Sequence, residues 1–258
     1  MGQAGSDLAR RTLAPAAALW VILVGVGLVI VGPLKDLPAE DDVNEALEGA
    51  RTPLLDSLTS FWSNIGATLF IITTCALAIA YLFWRTRQWW FAVVPGIAVS
   101  VQSMVFVTAA AVVGRERPDV EPLDVSPPTS SFPSGHTGAS TAFYLILALL
   151  AQRITRPALR WAATVVCLLI PVLVAFARLY RGMHQPTDVV FGLLNGIVCA
   201  WLAWRYLRRS DDSAGSPDLV GRGADRPTST ATVTVTERGE EPPALGGAPV
   251  TPDRSAPA

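Results

Sequence analysis

Charge is what this chain has least of. Only 16% of its 258 residues are Asp, Glu, Lys or Arg, against about 25% in ordinary soluble domains. Lysine occurs once, at Lys35, and histidine twice, at His136 and His184. The net charge of −1 provides no global basic field for nucleic acid. Cys75, Cys167 and Cys199 are scattered through apolar runs. An odd, dispersed set of that kind is neither a disulfide framework nor a metal cluster, and the three read as small apolar packers. There is no Gly-rich nucleotide loop, no carboxylate-rich metal site and no internal repeat. What is abundant is hydrocarbon: 51% of the residues are hydrophobic and the mean hydropathy is +0.40. The shortage of charge therefore points to a membrane.

A bilayer core about 30 Å thick is crossed by about 20 helical residues. Six candidate spans occur, at 14–34, 61–84, 89–113, 137–152, 161–177 and 187–206. The fourth and fifth are short by strict hydropathy and are expected to extend into their neighbouring loops. The apolar run of the first exceeds a signal-peptide core and no small-residue cleavage site follows it, so it reads as a retained helix. The fold class expected is all-α, a six-transmembrane-helix bundle, with residues 1–13 as an N-terminal segment, 14–206 as the membrane domain and 207–258 as a tail. From Ser210 the tail carries eight acids and four arginines amid Pro, Gly, Ser, Thr and Ala, with no sustained apolar period, so it is expected to be disordered.

Arginines set the orientation. Arg10 and Arg11 precede the first span, Arg85 and Arg87 join the second to the third, Arg153, Arg156 and Arg160 join the fourth to the fifth, and Arg205, Arg208 and Arg209 close the sixth. All four clusters fall on one side of a six-span chain, which by the positive-inside rule is cytoplasmic together with both termini. The loops opposite are extracytoplasmic. In the first of them, Asp42 with Glu45 three residues on suggests a capping box. Val43, Ala46, Leu47 and Ala50 then share a face, as in an amphipathic helix lying at the interface. A loop helix packed on the bundle explains the same pattern.

Three short blocks hold nearly all the unusual residues: "GRERP" at 114–118, "PSGH" at 133–136 and "RLYRGMHQPTD" at 178–188. Each lies at an extracytoplasmic end of a span, and both histidines of the chain fall among them. Snorkelling to headgroups accounts for a lone arginine but not for this coincidence. Arginine holds phosphate oxygens bidentately at any physiological pH. Ser134 can stand at a helix N-cap, where free N–H groups favour an anion, and Gly135 lets the backbone come close. His184 precedes Asp188 by four residues with Pro186 between them, so the carboxylate in a first helical turn can reach back to one imidazole nitrogen and set its tautomer. Without a metal, phosphoryl transfer must draw its charge stabilisation from arginines and backbone N–H groups.

These blocks resemble the three-part signature of the type-2 phosphatidic acid phosphatase (lipid phosphate phosphatase) superfamily, in its bacterial integral-membrane branch. That signature reads Lys-x6-Arg-Pro, Pro-Ser-Gly-His and Ser-Arg-x5-His-x3-Asp. Arg117 and Pro118 match the end of the first part, Pro133 to His136 the whole of the second, and Arg178, His184 and Asp188 the third at the right spacing. The resemblance extends over about residues 14–206. It implies a six-helix bundle in the plasma membrane acting on a lipid phosphate or diphosphate such as polyprenyl diphosphate, phosphatidic acid or phosphatidylglycerol phosphate, with no cofactor and no metal. It also implies roles: His184 as the nucleophile that forms a phosphohistidine, Asp188 as its orienter, and His136 as the proton donor to the leaving oxygen and then the base for water. Arg117, Arg178, Ser134 and Gly135 would hold the phosphate. Two positions depart from the pattern. Ala110 stands where the family has Lys, and Ala177 where it has Ser. Arg115 is the candidate replacement for the missing cation. A phosphotransferase using the same intermediate, and a degenerate non-catalytic lipid binder, are the competing readings.

Overall fold

The computed structural model describes residues 14–34, 37–126 and 128–214. Arg10, Arg11 and the tail from residue 215, on which part of the orientation and the expected disorder rest, lie outside the described residues. Nine helices follow in order among those described: α1 (Ala14–Val31), α2 (Pro38–Gly49), α3 (Pro53–Ile65), α4 (Thr68–Thr86), the short α5 (Trp89–Ala92), α6 (Val94–Val113), α7 (Gly135–Ala151), α8 (Pro157–Tyr180) and α9 (Pro186–Ala214). No strand occurs among the described residues.

All six expected spans are present as helix. Five of them, α1, α4, α6, α8 and the Pro186–Leu207 part of α9, are long and apolar enough to cross a membrane. The sixth, α7, has 17 residues and at 1.5 Å per residue reaches only about 25 Å. It sits in the middle of the bundle, packed against α6, α8 and α9, and most of its side chains are buried. Surrounded by other helices, it does not have to match the bilayer by itself.

Close approach of α7 and α9 depends on missing side chains. A Cβ at Gly192 would lie 2.7 Å from the Ser134 carbonyl oxygen, and one at Gly196 would lie 2.6 Å from that of Gly138. The four-residue spacing puts both glycines on one stripe of α9, the small-residue contact that membrane helices use where apolar burial gives no drive to associate. Around this seam Phe132, Ala142, Ile146, Cys199 and Ala203 are buried in one core with Leu23, Val94 and Ala109. All three cysteines are free, and Cys75 and Cys199 are core packers. The outer flanks remain apolar and exposed, as at Leu69, Leu77, Trp84, Met104 and Val172, which is the surface expected of a multi-pass membrane protein.

Four boundaries differ from expectation. The second span begins at Thr68 because the chain breaks at Gly66, where a Cβ would strike Val174 and lie 3.4 Å from that of His136. The preceding α3 is a separate helix, capped by the Thr52 hydroxyl on the Leu55 N–H and opened by Pro53. The fifth span extends at both ends, to Pro157 and Tyr180, whereas the fourth gains only two residues at its start. The last helix runs on to Ala214, so residues 207–214 continue it and do not begin the tail; no Gly or Pro interrupts the chain before Gly215.

The loop helix α2 is present but differently placed. It begins at Pro38 behind an uncapped Leu37, with Asp42 inside it, so no Asp42–Glu45 capping box forms. Proline at the first turn sets the start instead. Its inward face is polar: Glu40 and Asn44 are buried while Val43 is 41% exposed. Hydrogen bonds, not the apolar stripe, orient this helix.

Candidate active site

The three sequence blocks meet at one end of the bundle. Gly114, at φ 64, ends α6 and turns the chain into the 115–134 loop. Ser134 takes the N-cap position of α7, and its N–H is held by the Asp188 carbonyl at 2.9 Å. Gly182, at φ +66, turns the chain out of α8 at a point where a Cβ would press on Val120 and Arg51. His184 follows, and Pro186 opens α9 with Asp188 in its first turn.

His184 is 4% exposed. Its Nδ1 lies 2.9 Å from the Ser131 carbonyl oxygen and 3.7 Å from Asp188 Oδ2. The nearer acceptor is therefore the Ser131 backbone. A proton on Nδ1 donated to that carbonyl leaves Nε2 with a free lone pair. Asp188 supports this from behind. Its Oδ2 accepts from the Ser131 hydroxyl and, at 2.8 Å, from the Gln185 N–H. Its Oδ1 accepts from Arg115 Nη1 at 2.6 Å. Asp188 thus meets His184 both directly, at 3.7 Å, and by way of Ser131, a residue that sequence reasoning missed, whose hydroxyl lies 3.4 Å from Nδ1. Burial holds the His184 pKa below the ordinary imidazole value; Asp188 opposes this, while Arg178 and Arg117 add to it.

Arg115 and Arg117, two residues apart, face different ways. Arg115 gives Nη1 to Asp188 and, at 2.7 Å, to Thr187 Oγ1, and Nη2 to Glu40 Oε2 at 2.6 Å. Glu40 in turn accepts from the Thr187 N–H at 2.8 Å. Burial alone would lower the Arg115 pKa, but Asp188 and Glu40 raise it. Arg115, expected on the phosphate, is committed to two carboxylates and a hydroxyl, and it fixes Asp188. Arg117 lines the cavity and gives Nη1 to the Met183 carbonyl at 2.6 Å. Burial lowers its pKa against the opposing pull of Asp188.

Arg178, 3% exposed at the end of α8, also lines the cavity. Nη1 reaches Ser63 Oγ at 2.7 Å and Asp124 Oδ2 at 2.8 Å, while Nε has no hydrogen-bond partner among the described residues. Asp124 also takes Arg181 at 2.7 Å. Burial would raise the Asp124 carboxyl, but Arg181 and Arg178 hold it below the usual carboxylate range. With Ala177 fully buried and lacking a hydroxyl, Ser63 of α3 supplies the hydroxyl contact to Arg178.

Both histidines and both cavity arginines line one cavity of about 310 Å³. Gly135 lines it too, and a Cβ there would strike the Phe106 ring at 2.6 Å. Ser134 does not. Its hydroxyl pairs with Thr137 Oγ1 at 2.9 Å, so it occupies the N-cap without capping through its side chain. Away from the histidines the cavity runs between α4 and α6, along Ile71, Ile72, Val99, Phe106 and Val107. From Val99 to Val107 is about 12 Å of helix. Glu40, Asp124, Ser63 and Ser131 carry no motif. Ser131 alone had a sequence hint, its place three residues before Ser134.

Residues 89–212, which contain all three blocks, match the family model of the PAP2 superfamily. The chain is 26% identical over 167 residues to a phosphatidylglycerophosphatase B of Bacillus subtilis, covering 64% of this chain and 81% of that protein. It is 24% identical over 196 residues to an undecaprenyl-diphosphatase of Sulfolobus acidocaldarius, covering 72% and 85%. The crystal structure of a transmembrane PAP2-type phosphatidylglycerolphosphate phosphatase from Bacillus subtilis has the same fold, with a TM-score of 0.65 at 21% identity over 77% of this chain and 96% of that one.

Proposed function

The chain belongs to the PAP2 superfamily, and from that premise we propose that it is a membrane lipid phosphatase that works through a phosphohistidine on His184. The observation that carries this reading is the arrangement of His184. Its Nδ1 is engaged by the Ser131 carbonyl, and it shares one cavity with His136, Arg117 and Arg178. In the first step Nε2 forms a bond to phosphorus in line with the lipid oxygen, the P–O bond to the lipid breaks, and His136 gives its proton to the leaving oxygen. In the second step His136 takes a proton from water, the water oxygen bonds to phosphorus, and the P–N bond breaks. Arg117, Arg178 and the backbone N–H groups at the start of α7 hold the equatorial oxygens as charge shifts among them. Asp188 balances the positive imidazole of the intermediate. The cavity opens along α4 and α6 at Ile72 and Val107, which are more than half exposed on the apolar flank, and a lipid tail can leave the site there into the bilayer. The arginine pattern supports an extracytoplasmic site in the plasma membrane.

Purified protein in detergent should release inorganic phosphate from a panel of phosphatidic acid, phosphatidylglycerol phosphate and polyprenyl phosphates, and should do so in EDTA. His184→Ala should remove turnover by about 10³-fold or more while the protein stays folded. A labelled lipid phosphate should leave an acid-labile, base-stable label on His136→Ala and none on His184→Ala. Hydrolysis retained by His184→Ala refutes the nucleophile.

A further inference from the structure

The charge carried by the cavity, compared with the charge of each substrate class, separates lipids that end in one phosphate from those that end in two. Among the described residues lining the cavity, Arg117 and Arg178 supply the positive charge. Arg178 is already shared with the Asp124 carboxylate at 2.8 Å. The other nearby cations are engaged outside the cavity lining: Arg115 by Asp188 and Glu40, and Arg181 by Asp124. The uncompensated positive charge facing the histidines is thus small. A terminal phosphate monoester, at −1.5 to −2 near neutral pH, by itself uses up the charge that Arg117 and the shared Arg178 offer.

A diphosphate places a second ionised phosphate between the reacting phosphorus and the tail. For a tail that follows the cavity away from His136 and Gly135, that phosphate meets the lining formed by Phe106, Val107, Ile71 and Ile72, with Gln102, Ser103 and Thr68 as neutral polar neighbours. An anion taken from water into such surroundings without a cation is strongly disfavoured. In a monoester the carbon chain begins one bond beyond the phosphate, and the apolar lining is what it needs. We infer that this cavity selects lipid phosphate monoesters over lipid diphosphates, an inference that rests on the phosphatase reading above.

The test compares initial rates of phosphate release from farnesyl phosphate and farnesyl diphosphate, which share a tail, by the purified full-length chain. The monoester should be favoured by about tenfold or more in kcat/KM. Thr68→Lys should then narrow the ratio by raising kcat/KM for the diphosphate. Thr68 lines the cavity two residues beyond Gly66, whose Cβ position is 3.4 Å from that of His136, so an ammonium there can reach the second phosphate. A diphosphate hydrolysed as well as the monoester or better, or a ratio unmoved in folded Thr68→Lys, overturns the charge inference and leaves the phosphatase reading standing. Failure to hydrolyse either compound, or any lipid of the panel, defeats both.

Discussion

At one end of the cavity His184 and Arg178 are 4% and 3% exposed, and each is held by named hydrogen bonds. At the other end Ile72 and Val107 are 56% and 58% exposed and face the flank of the bundle. The first region is built as a polar network closed by carboxylates: Glu40 holds Arg115, Arg115 holds Asp188, and Asp188 with Ser131 sets His184. The second is a mainly apolar wall, with Thr68, Gln102 and Ser103 as its neutral polar residues. Under the proposed function the difference separates two tasks. Phosphoryl transfer depends on placement and fixed charge, which only a satisfied, buried network supplies. Accepting a tail requires only apolar surface at the right depth, and such surface tolerates variation.

Breaking the network should cost far more than altering the wall. Arg115→Ala leaves Asp188 and Glu40 without their shared cation, and removing one partner of a buried pair costs about 3–5 kcal/mol. The expected result is a marked drop in thermal stability in detergent, together with a fall in kcat of about 100-fold, since Asp188 loses its anchor. Arg115→Lys should recover only part of either, because a point cation cannot bridge two carboxylates and the Thr187 hydroxyl at once. A variant with full kcat and normal melting would show that the two ends do not differ as described.

The pH profile probes the same network more gently. In the proposed mechanism His184 attacks only when neutral, and burial holds its pKa below the ordinary value. Its neutral form therefore persists on acidification and is lost only as pH falls through the lowered value. The acid limb of kcat/KM for a lipid substrate should lie below the free-imidazole pKa of about 6.5. A limb at or above that value, with substrate ionisation accounted for, would contradict the buried setting of His184.

The smallest effects belong to the wall. Ile72→Ala should leave kcat for a short-chain phosphate nearly unchanged and shift kcat/KM among tails of different length by less than about tenfold, measured across a homologous series. An Ile72→Ala loss as large as that of Arg115→Ala would erase the contrast.

Much of the site was legible because its chemistry comes in short blocks. Both histidines, Arg117 and Arg178 reach one cavity, as their positions at the same membrane face implied. Arg115 was misplaced because two arginines separated by one residue can point to opposite sides of a loop, and only the packing of α2 decides which one meets a carboxylate. Helix α2 itself was recognisable as a helix, but its orientation was not. Hydropathy favoured burying Val43 and Leu47, whereas the polar partners Arg115, Thr187 and Gln185 draw in Glu40 and Asn44.

The sequence by itself determined six apolar helices and the three blocks at one end of them, because hydrocarbon length and helical rise leave little freedom in how such a chain crosses a bilayer. It also singled out the side chains that are candidates for phosphate chemistry. Tertiary structure alone decided that the Ser131 carbonyl accepts the hydrogen bond of His184 Nδ1–H, that Asp188 is held by Ser131 and Arg115, and that Asp124 and Ser63 hold Arg178. Those contacts join residues up to 115 positions apart. They arise from the need of each buried charge for a partner, and no local pattern in the chain records which partner it finds.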